Sequence, residues 1–138
     1  MKSWWIQTGA GRMLLEQREV PTPQAQPGQL LVRIRAAALN RGEFIAGHGL
    51  HAAGGPARPA GFEAAGEVIG VGEGVTAFAP GDRVMGAFFP DWIDGESDPV
   101  NTARVPGAAS DGVLASEVIF SEYSLVAIPD SLSDEQAA

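Results

Sequence analysis

Residues 61–86 read GFEAAGEVIGVGEGVTAFAPGDRVMG, and this stretch decides the fold. Ala64 to Val71 is apolar except for Glu67, and Arg83 to Phe89 is similar, so both suit strands with little exposed face. Glycines fill the space between them. In AFAPGDRV, Pro80 presets its backbone angle and Gly81 can take the positive φ of the next turn position, which predicts a type II turn leading into the second strand.

The rest of the composition agrees with short strands joined by turns. A chain of 138 residues makes one domain, and its 18 glycines and 10 prolines favour a mainly β fold. The formal net charge is −8 and the nine Lys and Arg residues are scattered, which argues against a nucleic-acid partner. There is no cysteine, so disulfides and thiolate metal sites are excluded. The N-terminal MKSWWIQTG lacks a signal peptide's apolar run, and no stretch is long enough to span a bilayer. A soluble, cytoplasmic protein with no membrane partner is the expectation.

The order Gly61, Glu63, Gly66, Val68, then Gly72, Gly74, Val75, then Phe78, Gly81, Asp82, Arg83, Val84 resembles the signature of the medium-chain dehydrogenase/reductase superfamily, in its GroES-like N-terminal domain. The resemblance covers nearly the whole chain. It implies a partly open β-barrel with short helices over residues 1–130. It also implies that residues 131–138 begin the connection to a nucleotide-binding Rossmann domain. Ser133-Asp134-Glu135-Gln136 fits this, because it is a capping box opening a helix too short to stand alone, as expected of a domain taken from a longer enzyme.

Working outward, Lys2 to Gln7 and Met13 to Val20 are strand candidates around Thr8-Gly9-Ala10-Gly11, an opening hairpin. Leu30 to Ala37 alternates, with Leu30, Val32, Ile34 and Ala36 on one face and Arg33 and Arg35 on the other, facing solvent. Asn40 and Glu43 then read as an N-cap and its N3 partner, starting a short helix that Gly47 stops.

The resemblance attaches chemistry to this junction. Alcohol dehydrogenases carry a cysteine zinc ligand there and quinone oxidoreductases often an asparagine, so Asn40 becomes the candidate catalytic residue. Arg41 is either a cation reaching toward the cofactor or a solvated side chain. At the second ligand position zinc-dependent relatives have histidine, where this chain has Phe62, which coordinates nothing. No catalytic zinc is therefore expected, and Glu63 is left to cap or hydrogen-bond within the domain. His48 and His51 lack an evident third ligand and read as loop histidines. The run Gly70 to Val75 has the wrong spacing for a dinucleotide fingerprint and leads into no helix, so its glycines are turn residues.

Residues 90–111 are polar, acidic and rich in proline, a long loop with Trp92 and Ile93 as its expected anchors. They stand where zinc-containing relatives carry a four-cysteine lobe. Gly112 to Phe120 and Tyr123 to Ile128 return to strand patterns, and G-V-L-A-S-E resembles the family's G-x-[YF]-A-E, with Leu114 replacing the aromatic.

The expected function is the catalytic domain of a zinc-independent oxidoreductase, using NADPH bound mainly by the further domain and acting as a homodimer at full length. Without a Lewis acid, the substrate must itself spread incoming hydride charge, as quinones and α,β-unsaturated carbonyls do. Asn40 would hydrogen-bond near the nicotinamide or substrate oxygen, Arg41 would contact the cofactor, and Phe44, Ile45 and Phe62 would wall the substrate pocket. The alternative is an isolated GroES-like binding or assembly module without enzymatic activity.

Overall fold

The computed structural model describes residues 1–9, 12–43 and 56–138. Phe44, Ile45, Gly47, His48 and His51, and the Ala10-Gly11 turn of the opening hairpin, lie outside the described residues. In one sheet β1 (Lys2–Gly9) lies between β2 (Arg12–Glu19) and the two-residue β4 (Arg58–Pro59). In the other the order is β7 (Glu117–Ser121), β3 (Gln29–Ala38), β5 (Glu63–Val71), β6 (Arg83–Gly86) and β8 (Leu125–Ala127). All neighbouring strands are antiparallel.

The fold is mainly β, as expected, but among the described residues the two sheets do not close into a barrel. The reason is local. Among the described residues the first sheet meets the segment leading into β7 through the isolated bridge Ser3↔Ala115, with hydrogen bonds from Trp4 N to Leu114 O at 2.9 Å and from Ser116 N to Lys2 O at 2.8 Å, and no longer ladder forms.

β3 and β5 build the core. Leu30 and Val32 of β3 are buried while Arg33 and Arg35 are exposed, the alternation expected of a half-exposed strand. They join Ala64, Val68, Val84, Val113, Phe120 and Leu125 in one cluster, each fully buried Val or Leu contributing about 1.5–3 kcal/mol. Arg35 is paired across the ladder with Glu67 at 2.7 Å. Gly66 allows this pairing to be close, since a Cβ there would stand 2.2 Å from Arg33 O.

The turn between β5 and β6 forms as read. Gly81 has φ +99°, Asp82 N donates to Ala79 O at 3.1 Å, and Asp82 Oδ2 accepts from Ala79 N at 2.8 Å. Gly74 also has a positive φ, +79°.

Three strand limits differ from expectation. The strand read to Phe89 ends at Gly86, where a Cβ would meet the Phe120 ring at 2.8 Å; beyond it the chain keeps one hydrogen bond, from Ala87 N to Ser124 O. The strand read from Gly112 begins only at Glu117, because residues 112–116 instead bond across to β1 and to Ala60. The strand read from Tyr123 starts as a 3-10 turn, Glu122–Ser124, in which Ser124 Oγ donates to Ser121 O at 2.9 Å. The short helix α1 (Asp134–Ala137) has its full capping box, and Arg83 holds it by a 2.7 Å bond to Asp134 Oδ1 and a 2.8 Å bond to Leu132 O.

Candidate active site around Asn40

Register creates the site. Ala38, the last residue of β3, stands opposite Glu63, the first residue of β5, so Asn40 lands beside the Glu63 side chain two residues later. Asn40 Nδ2 donates to Glu63 Oε2 at 2.5 Å, and Asn40 N donates to Glu43 Oε2 at 2.6 Å. Half of the expected capping box is thus present, with Glu43 accepting from the cap backbone, and residues 41–43 are helical. The other half is absent because the Asn40 carboxamide points to Glu63. Glu63 thus holds the side-chain amide and Glu43 the backbone N–H of Asn40, which leaves the second amide N–H and Oδ1 without a partner among the described residues. Glu63 does hydrogen-bond within the domain, as expected.

Phe62 is 7% exposed and occupies a slot that two glycines leave open. A Cβ on Gly42 would come 2.3 Å from the ring, and one on Gly107 would come 3.0 Å from it. The ring meets Phe88 edge-on at 5.9 Å; Phe88 meets Phe89 at 4.8 Å, and Phe89 meets Trp92 at 6.2 Å. A run of aromatic rings therefore leads from the candidate site to the loop of residues 90–111. The structure brings Asn40, Glu63, Glu43 and Phe62 together, while Arg41 beside them is exposed and makes no ion pair among the described residues. The expected pocket residues Phe44 and Ile45 are not among those described.

Two participants were missed by sequence reasoning. Glu43 had been read only as a helix cap, yet its Oε1 is buried with no hydrogen-bond partner among the described residues. Phe88 had been read as a strand residue. The Phe88-Phe89 doublet gave no signal by itself; the rings touch, which adjacent side chains of a continuing strand, pointing to opposite faces, would not do.

The loop's expected anchors also need correction. Ile93 is 65% exposed and anchors nothing; Trp92 is held by Phe89 and by its Nε1 bond to Gly95 O at 3.1 Å. Buried Pro106 and Gly107 anchor the loop instead. Its far part folds on itself: Asp98 Oδ1 accepts from Val100 N at 2.7 Å and from Asn101 N at 2.8 Å, and Arg104 Nε bonds Asp91 Oδ2 at 2.8 Å. The Arg104 guanidinium, through this hydrogen bond, holds the Asp91 carboxyl below its usual range.

The residues present do not fit the zinc that the resemblance attaches to this junction. Phe62 offers no lone pair, its ring is wedged between glycines, and Asn40 uses its amide nitrogen as a donor to Glu63. Among the described residues no three His, Asp or Glu side chains are grouped to hold a metal ion. A nicotinamide cofactor is a different case, since the free Arg41 guanidinium and the orphaned Glu43 Oε1 are a cation and an acceptor that a phosphorylated, hydroxyl-bearing molecule would satisfy.

The alcohol dehydrogenase GroES-like domain family matches residues 26–130 of this sequence. The chain belongs to that family, and so to the medium-chain dehydrogenase/reductase superfamily. A zinc-type alcohol dehydrogenase-like protein of Schizosaccharomyces pombe is 33% identical over 133 residues, covering 95% of this chain and 38% of its own. An acryloyl-coenzyme A reductase of Metallosphaera sedula is 32% identical over 128 residues, covering 88% of this chain and 39% of its own. The solved quinone oxidoreductase of Coxiella burnetii superposes with a TM-score of 0.72 at 26% identity, over 100% of this chain and 40% of that structure. The chain thus spans about two fifths of the length of the relatives it matches.

Proposed function

We propose that this chain is the substrate and catalytic domain of an NADPH-dependent oxidoreductase that transfers hydride to a quinone or an α,β-unsaturated carbonyl without catalytic zinc. It acts joined to a nucleotide-binding domain that carries most of the cofactor contacts. The observation that carries this reading is the Asn40 carboxamide held by Glu63, with the Asn40 backbone N–H held by Glu43, next to the turn that packs on Phe62. A side-chain amide stands where a metal would otherwise polarise the substrate. The names of an acryloyl-coenzyme A reductase and a quinone oxidoreductase among its relatives support the same substrate class.

The nicotinamide, when bound, supplies the hydride. Asn40 donates its remaining N–H to the substrate oxygen as negative charge builds there, and a donor already fixed by Glu63 needs little reorganisation to do so. Conjugation in the substrate spreads the remaining charge. Phe62 presents an apolar wall that keeps water from the reacting carbon, while Arg41 pairs with an anionic part of the cofactor and Glu43 Oε1 accepts from a cofactor hydroxyl.

The test is NADPH oxidation with 1,4-benzoquinone and with a simple enone, measured for the 138-residue chain alone and for the chain joined to a nucleotide-binding domain. The joined form is expected to turn over and the chain alone to show little or no activity. Robust turnover by the chain alone contradicts the need for a second domain. Inactivity of both forms contradicts the enzyme reading and favours a binding module.

A further inference from the structure

A second cavity lies away from Asn40, where the face of β1 meets the edge of β7. It measures about 380 Å³, toward the lower end of the range for small-molecule sites. Ser3 and Trp5 reach it from β1, being two apart and so on one face, and Glu117 reaches it from the start of β7. Pro59, Val118 and Ile119 supply apolar wall, and Asp111 is exposed in its lining.

Three polar atoms in this lining are buried and have no hydrogen-bond partner among the described residues: Ser3 Oγ, Trp5 Nε1 and Glu117 Oε2. Ser3 is only 1% exposed. Such atoms each cost free energy unless something supplies the missing bond. Their characters differ usefully. Glu117 only accepts, Trp5 Nε1 only donates, and Ser3 does either. The lining contains two carboxylates and no Lys, Arg or His side chain. The Met1 ammonium is bonded to Val20 O at 2.6 Å, and Arg33, opposite Glu117 in the ladder, makes no ion pair with it. Among the described residues, therefore, no cation pairs with Glu117, although the Met1 ammonium lines the same cavity and the Arg18 guanidinium stands over the Trp5 ring at 4.6 Å.

We propose that this cavity binds a small organic cation, a primary ammonium with a neighbouring hydroxyl and an apolar body. The ammonium donates to Glu117 and Ser3, the hydroxyl oxygen accepts from Trp5 Nε1, and the apolar body lies against Pro59, Val118 and Ile119. Asp111 adds negative potential. An anionic ligand is repelled by both carboxylates, and a purely apolar one leaves all three buried atoms unsatisfied. This site is independent of the oxidoreductase reading.

The test titrates 2-amino-1-phenylethanol, neutral 1-phenylethanol and anionic mandelate into the chain, reading heat and the indole N–H resonance of Trp5 assigned with Trp5→Phe. The amino alcohol is expected to bind saturably and shift that resonance, the other two not, and Glu117→Gln to weaken binding at least about tenfold. Equal binding of 1-phenylethanol, binding that survives Glu117→Gln, or no binding by any probe at millimolar concentration overturns the proposal. Should Glu117→Gln fail to fold, Ser3→Ala takes its place: several-fold weakening supports the site, and unchanged affinity overturns it.

Discussion

Phe62 carries two proposed roles at once, a position without a metal ligand and an apolar wall, and its ring fills the slot between Gly42 and Gly107. Truncation to Ala leaves a hole between Gly42 and Gly107, and we expect a loss of about 3–5 kcal/mol in urea denaturation. Asn40→Ala should instead leave stability nearly intact and lower kcat of the joined enzyme about 10²–10³-fold, the usual effect of losing one donor to a developing oxyanion. A second residue gives a pH signature. The Glu122 carboxylate accepts from the backbone N–H groups of Ala77 and Thr76, which hold its carboxyl below the ordinary value of 4.5. A depressed carboxyl stabilises the fold above its unfolded pKa and loses that contribution as pH falls through the folded one. Glu122→Gln should therefore lower the melting temperature at pH 7, with the gap to wild type narrowing as pH falls below about 4.5; a gap that widens below that pH contradicts this. Asn40 and Phe62 could be singled out in the sequence because they stand at positions marked by a motif, and the structure places both where β3 and β5 meet. Glu43 Oε1 and Phe88 were not, since a cap reads the same whether or not its second oxygen is satisfied, and an aromatic doublet does not say where its strand ends.

Turns and close approaches were the most legible elements. Pro80-Gly81 announced its turn, and Gly81 has open space around its Cβ position, so Gly81→Ala tests backbone strain alone and should cost about 1–2 kcal/mol. Gly66→Ala must push β5 away from Arg33 O and should cost more than Gly81→Ala in the same denaturation series; the reverse order would contradict the close pairing of β3 and β5. The loop of residues 90–111 was recognisable by composition but not by its fixings. Pro106 and Gly107 carry no hydrophobic pattern, yet both are buried, Gly107 against Gly61 and Phe62, while the more apolar Ile93 faces solvent. Strand ends were hard to read for a related reason: β6 stops where Phe120 covers Gly86, a contact between residues 34 positions apart that no local pattern encodes.

At the scale of the whole molecule, the sequence pointed to the β class and the family, while the two sheets stay separate because, among the described residues, β1 meets the segment before β7 through the isolated bridge Ser3↔Ala115 and no longer ladder, which composition does not reveal. Within that frame the β3 and β5 ends meet near Asn40, and the proposed substrate chemistry rests on reading an amide and a phenyl ring in place of metal ligands. The direct measurement is the turnover of the joined enzyme with NADPH and 1,4-benzoquinone after dialysis against a strong zinc chelator, with metal content determined on the same sample. Turnover retained in full with less than stoichiometric zinc is the predicted result. Loss of activity on chelation, restored by adding zinc, would contradict the account.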